Sequence, residues 1–175
     1  MLERIWSGWR SAYVADAPSR RPDAEASASV FTQLLESGAS DDETHIVHRG
    51  DLVFAIVNIY PYTSGHLLVV PYREVADLAD LTADEVTELW ALVSDAVAVV
   101  RSTYRPDGVN VGLNLGRAAG GSIPTHLHVH VVPRWIGDSN FMSAIANTQT
   151  LPEALDATAN RLRSAFQSHR GQAPT

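Results

Sequence analysis

Apolar and polar residues fall into short runs in the first half of the chain and adopt helical spacing near its middle. Thr44–Arg49 and Leu52–Asn58 each carry the β-branched and aromatic content of a strand, and Gly50-Asp51 between them is a tight-turn pair. The turn-rich stretch Tyr60-Pro61-Tyr62-Thr63-Ser64-Gly65 leads into His66–Pro71, a nearly continuous apolar strand. Thr82 with Glu85 three residues on has capping-box spacing and predicts a helix start. That helix should run to about Tyr104, burying Val86, Leu89, Trp90, Val93, Val97 and Val100. Val109–Asn114 and Leu127–Val132 read as two further strands, and Leu151–Gln167 as a closing helix with Pro152 in its first turn.

Strands outnumber helices without alternating with them, which predicts an α+β domain: an antiparallel sheet of about five strands, one long covering helix and a C-terminal helix. Before the sheet, Phe31–Glu36 reads as a short helix. Asp16–Ser29 is rich in Ala, Ser, Pro and Arg without periodicity, and Trp6, Trp9 and Tyr13 form an aromatic cluster that is expected to pack on the domain body. The expected organisation is an N-terminal extension and mobile linker over 1–30, one domain over 31–168 and a frayed tail over 169–175.

Composition narrows the function. The chain has 175 residues, 45% apolar, enough for one sizeable core. Its formal net charge of −7 argues against a protein that coats nucleic acid, although it leaves room for a small polyanion in one pocket. With no cysteine there is no disulfide, thiolate nucleophile or Cys-based metal site. No leader-like or membrane-spanning apolar stretch stands out, so a cytoplasmic protein without a membrane or nucleic-acid partner is expected.

The chemistry concentrates in Thr125-His126-Leu127-His128-Val129-His130-Val131-Val132. Alternation in a strand puts the three imidazoles on one face and the apolar side chains on the other. A shared metal is one reading, but the outer histidines would lie about 13 Å apart along a straight strand. A second reading is histidines satisfied by hydrogen bonds on a sheet surface. The third is covalent catalysis, since a neutral imidazole attacks phosphorus readily and its neighbours can orient it. The glycine-rich stretch Gly116–Gly121 just upstream supplies amides that can approach phosphate oxygens.

His126-Leu127-His128-Val129-His130-Val131-Val132 resembles the signature of the histidine-triad (HIT) family. Phe54–Asn58, Pro61 and Gly65–Pro71 resemble its upstream strand pair, and Pro133–Phe141 resembles the segment after the triad in its fragile-histidine-triad branch. The resemblance spans roughly Thr44 to Phe141. Three stretches, Trp6–Pro18, Asn114–Ser122 and Arg134–Asp138, are similar to the actinobacterial-type diadenosine tetraphosphate phosphorylases of the family.

The resemblance implies a HIT-like fold, a homodimer or larger homo-oligomer, and a nucleotidyltransferase that cleaves dinucleoside polyphosphates with inorganic phosphate as acceptor. It implies that His128 forms a nucleotidyl-histidine intermediate. His126 and His130 would flank it, orienting the ring and contacting phosphate oxygens or the leaving group. Asn58 would meet ribose hydroxyls, His66 would lie behind the triad, and Asn114, Gly121 and Ser122 would hold phosphates. No cofactor or bound metal is required, although a divalent cation can arrive with the substrate.

Ser122 departs from the glutamine that the fragile-histidine-triad hydrolases carry there, which leaves more room beside the α-phosphate. Hydrolysis of dinucleoside polyphosphates, nucleoside phosphoramidase activity, a non-catalytic nucleotide sensor and a metalloprotein remain the alternatives. Arg117 and Arg134 are candidates for distal phosphates, Tyr60 and Tyr62 for base stacking, and Trp135 and Phe141 for a base or partner groove. His45, His48 and His169 fit ordinary surface or strand positions. Asp77, Asp80, Asp84 and Glu85 fit a solvated helix entrance.

Overall fold

The computed structural model describes residues 28–138 and 153–171; Trp6, Trp9, Tyr13, Phe141 and Pro152 lie outside the described residues. In chain order the elements are α1 (Val30–Glu36), α2 (Asp41–Thr44), β1 (Ile46–Arg49), β2 (Val53–Val57), β3 (Leu67–Pro71), α3 (Ala83–Tyr104), β4 (Gly108–Leu113), β5 (Val129–Arg134) and α4 (Leu155–Arg170). One-turn 3-10 segments occur at Leu78–Asp80 and Arg117–Ala119. The strands form one antiparallel sheet in the order β1-β2-β3-β5-β4, so β5 is interior and β4 lies at an edge.

The sheet separates two apolar layers. Val53, Ala55 and Val57 of β2, Leu67 and Val69 of β3, and Val129 and Val131 of β5 point toward α3 and α4. There they meet Leu89, Leu92, Val93, Ala96, Val99 and Val100 of α3, with Ala159, Leu162 and Phe166 of α4. The alternate residues Phe54, Ile56, Leu68 and Val70 face the opposite way, where Phe31, Leu34 and Leu35 of α1 cover them with Tyr72 and Ile123. This lightly covered face carries the site.

The structure revises several sequence expectations. Thr44 ends α2 instead of opening a strand, and α2 starts with a complete Ser40/Glu43 capping box. On α3 the Thr82/Glu85 capping box forms as expected. Its buried stripe, however, runs through Leu89, Leu92, Val93, Ala96, Val99 and Val100, and Trp90 is 43% exposed. Trp90 lies about 100° around the helix from Leu89, which turns the indole off the core-facing stripe. Glu85 is not solvated: it is buried and held by Arg73 through two bonds of 2.9 and 2.6 Å. Those bonds hold its carboxyl down to about 2. The last helix starts at Leu155 and continues through Arg170, past the expected start of a frayed tail at 169.

Gly65 sets the entry of β3. Its φ is +82°, and a Cβ there would lie 2.7 Å from the Tyr104 ring. Left-handed backbone and aromatic contact together require glycine. Gly65→Ala is expected to destabilise the fold by about 2 kcal/mol, read from urea unfolding at fixed protein concentration. A loss below about 0.5 kcal/mol would show that this turn relaxes freely.

Candidate active site

Three of the four clustered histidines reach the site from outside regular strand. β5 begins only at Val129, so His126 and His128 lie on the segment leading into it, and His130 alone sits within the ladder. His66 precedes β3. The expected alternation still holds, because Leu127, Val129 and Val131 enter the helical core while the imidazoles take the other face. Adjacent rings are close: centroids of His128 and His130 are 5.0 Å apart, and those of His66 and His130 are 5.1 Å apart.

Hydrogen bonds fix which nitrogen of each ring carries a proton. The Tyr62 N–H donates to His66 Nδ1 at 3.1 Å, and the Asn58 amide nitrogen lies 3.4 Å from the same atom. His66 Nδ1 therefore accepts, leaving Nε2–H to donate to His130 Nδ1 at 2.9 Å. In turn, His130 keeps its hydrogen on Nε2, 3.4 Å from the Asn114 amide. An amide turned to present its oxygen complements that N–H. Tyr62 closes this corner from outside, its ring 4.7 Å from His66 and 6.0 Å from His130.

His128 is set by the main chain. Its Nδ1–H donates to the His126 carbonyl at 2.9 Å, so the lone pair of a neutral ring sits on Nε2. No other hydrogen bond of the described residues is directed at that ring. Burial disfavours the imidazolium throughout the cluster. It pushes His66 down to about 3 and His130 down to about 4, with His128 and His126 also below the ordinary histidine value. Like-charge repulsion within the cluster adds to the depression of His66 and His130. At neutral pH the site thus holds a neutral imidazole with an unshared Nε2 beside a neutral imidazole that presents Nε2–H.

His126 behaves differently from the expectation that it meets phosphate. It is 1% exposed, its Nε2–H donates to the Pro71 carbonyl at 2.8 Å, and its Nδ1 lies 2.6 Å from Ser29 Oγ. With both nitrogens committed inside the protein, its side chain has no group left for a phosphate or a leaving group. Its carbonyl is the part that acts on His128.

The remaining candidates separate clearly. Asn58 and Asn114 join the cluster through His66 and His130. Asn58 Oδ1 also accepts from the Tyr60 N–H at 3.0 Å. Gly121 runs beside Asn114, where a Cβ would sit 3.3 Å from the Asn114 Cβ, and Ser122 is exposed on the same loop. Arg117 is exposed in its 3-10 turn. Arg134 is drawn into a bidentate pair with Asp138, both bonds 2.6 Å, instead of facing the histidines. Trp135 lines a separate cleft with Ser64, Tyr104, Glu153 and Arg161. Away from the site, His45 pairs with Asp156 and His48 stacks on Phe166, while His169 lies 3.4 Å from Asp95. No three His, Asp or Glu side chains among the described residues converge as a metal ion requires.

Sequence reasoning missed Ser29, Phe31 and Glu74. Phe31 packs edge-on against His126 at 5.3 Å and tilted against His128 at 5.6 Å. Ser29, placed in the linker by its composition, is buried against His126, 97 positions away. No local pattern signals such a contact.

Residues 39–135 match the HIT domain. The chain is 49% identical to the AP-4-A phosphorylase of Mycobacterium tuberculosis, over 94% of this chain and 85% of that protein. It is 37% identical to the asymmetrical bis(5'-nucleosyl)-tetraphosphatase of Schizosaccharomyces pombe, over 52% of this chain and 50% of that one. A zinc-bound histidine-triad family protein from Mycobacterium smegmatis superposes with a TM-score of 0.68 at 25% identity, covering 83% of this chain and 98% of its own. Fold, imidazole cluster and these likenesses agree: the chain belongs to the histidine-triad (HIT) family.

Proposed function

We propose that this protein is a nucleotidyltransferase that cleaves diadenosine tetraphosphate and passes the adenylyl group to inorganic phosphate. The observation that carries the chemistry is His128, neutral at physiological pH, with Nδ1–H held by the His126 carbonyl and Nε2 unshared. The 49% identity to an AP-4-A phosphorylase supports the substrate and the acceptor.

In the first half-reaction His128 Nε2 attacks the α-phosphorus. An N–P bond forms, the P–O bond to the remaining polyphosphate breaks, and ATP leaves. The nucleotidylated ring keeps Nδ1–H and is cationic, so its bond to the His126 carbonyl strengthens. His130 Nε2–H and the amides near Gly121 stabilise the phosphorane oxygens. In the second half-reaction a phosphate oxygen attacks the same phosphorus, the N–P bond breaks, and ADP is released with His128 restored. A divalent cation, where present, arrives on the polyphosphate.

Asn58 meets the ribose, and the exposed Ser122 leaves space for phosphate beside the intermediate. A homodimeric or larger assembly in the cytoplasm belongs to the same reading. Among the described residues no helix is long and apolar enough to cross a membrane. Hydrolysis is the second reading, favoured by the likeness to the yeast tetraphosphatase.

Incubation with diadenosine tetraphosphate, with and without phosphate, separates the two. ADP and ATP only in the presence of phosphate establish phosphorolysis; AMP and ATP at the same rate with or without phosphate establish hydrolysis.

A further inference from the structure

The segment that carries His126 and His128 precedes the β5 ladder, so strand pairing does not hold it. Its anchors are the Leu127 N–H, which donates to the Val75 carbonyl at 2.6 Å, and the two ends of the His126 ring. One ring end is fixed by the Pro71 carbonyl. The other meets a chain of side chains: His126 Nδ1 to Ser29 Oγ at 2.6 Å, Ser29 Oγ to Thr32 Oγ1 at 3.1 Å, and Thr32 Oγ1 to Glu74 Oε2 at 2.7 Å. Glu74 also accepts from the Ser29 N–H at 2.9 Å, and Ser29 caps α1 by accepting from the Thr32 N–H.

Proton bookkeeping assigns the hydrogens: both hydroxyl hydrogens point outward, one to His126 and one to Glu74, and the Ser29–Thr32 contact carries none. The Pro71 carbonyl can only accept, so neutral His126 carries its hydrogen on Nε2 and Nδ1 must accept. Ser29 Oγ–H is the donor, and its oxygen remains available to the Thr32 N–H. Thr32 Oγ1–H is drawn to the carboxylate. Glu74 is exposed at the outer end of the chain, whereas His126 is buried at the inner end. The carboxylate thus orients the Thr32 hydroxyl and holds the Ser29 backbone, which places Ser29 Oγ–H against His126 Nδ1, while the Pro71 carbonyl sets the tautomer.

We propose that Ser29, Thr32 and Glu74 are positioning residues for the nucleophile, fixing the His126 ring so that its carbonyl holds His128 with Nε2 toward the substrate. None of the three touches substrate; they act through His126. The functional consequence rests on the adenylyl-transfer reading above, whereas the fixing of the His126 ring does not.

The test uses the full chain, labelled with nitrogen-15 at histidine, and reads imidazole tautomers by NMR without substrate. Kinetics with diadenosine tetraphosphate and phosphate run in parallel. Wild type should show His126 as the Nε2–H form and His128 as the Nδ1–H form. Ser29→Ala should leave His126 as the Nε2–H form on the Pro71 carbonyl, move its Nδ1 resonance to that of a nitrogen without a hydrogen-bond donor, and lower kcat about tenfold, with KM within twofold. Ser29→Gly, which keeps much of the helix cap while deleting the hydroxyl, should do the same. Ser29→Thr should restore both readouts, and Glu74→Gln, an exposed change that preserves shape, should lower kcat to a smaller extent.

An unchanged His126 Nδ1 resonance and an unchanged kcat in Ser29→Ala and Ser29→Gly would overturn the proposal. So would losses that Ser29→Thr does not repair, because a hydroxyl is then not what matters. If wild type turns over no dinucleotide, the functional reading fails, and the His126 Nδ1 resonance of the variants still decides whether this chain holds His126.

Discussion

His128→Ala is expected to lower kcat by at least about 10⁴-fold while the protein folds and binds nucleotide. The size follows from covalent catalysis. Removal of a nucleophile abolishes the stepwise route, and what survives comes from binding and charge stabilisation alone. No neighbour can substitute. His126 has both nitrogens bound to Pro71 and Ser29. His130 Nδ1 receives the His66 hydrogen and its Nε2 carries a proton, so the available atom on that ring is a donor.

Two measurements check the result: product formation from diadenosine tetraphosphate, and capture of α-phosphate-labelled substrate on the protein after denaturation in alkaline detergent, because the N–P bond to histidine hydrolyses in acid. The wild type should retain label and the variant none. Turnover within tenfold of wild type in His128→Ala would rule out a covalent intermediate on this residue. The same argument orders the neighbours, since His126→Ala disturbs geometry without removing the attacking atom and should retain more activity than His128→Ala.

The second large effect is loss of stability in mild acid. His66 and His130 are held at about 3 and about 4 in the fold, from an ordinary value of 6.5. Their folded values are depressed, so below 6.5 the unfolded chain binds protons that the native protein refuses, and stability falls with pH. From neutral pH to pH 5 each ring costs about 2 kcal/mol, about 4 kcal/mol for the pair, at roughly 1.4 kcal/mol per pH unit. His126 and His128 are depressed as well and act in the same direction. Carboxylates do not confuse this window. Glu85, Glu74 and Glu43 are also depressed, but from 4.5, and their contribution is lost only below that pH. Urea unfolding at pH 7.5 and pH 5.0, at one protein concentration, should show the drop. Equal stability at the two values would mean that the native cluster accepts protons readily.

Much of this architecture is legible in the sequence. Thr82 and Glu85 announce α3, and the alternation through Leu127, Val129 and Val131 assigns core and imidazole faces correctly. Failures arise where the deciding contact is distant or the local signal is short. Ser40 and Glu43 repeat the same capping box, but a four-residue helix has no apolar stripe to accompany it. Trp90 is the largest apolar residue near the middle of α3, yet position around the axis, not side-chain size, selects Leu92 and Ala96 for burial. Glu85 looks like one of a solvated acidic group until Arg73 is brought across to it. Alternation also groups His126 with His130, whereas the bend before β5 withdraws the first ring into the protein and leaves the last at the sheet surface.

The histidine cluster takes several of its fixing bonds from main-chain atoms, the Tyr62 amide and the carbonyls of Pro71 and His126, which side-chain exchange leaves in place unless proline enters at 62. Genetic drift can replace the flanking side chains without erasing those groups, provided the chain follows the same course. Reactivity at this site is therefore inherited largely with the backbone path. A chain that keeps this path keeps the His128 ring in place, whatever the neighbouring side chains present to it.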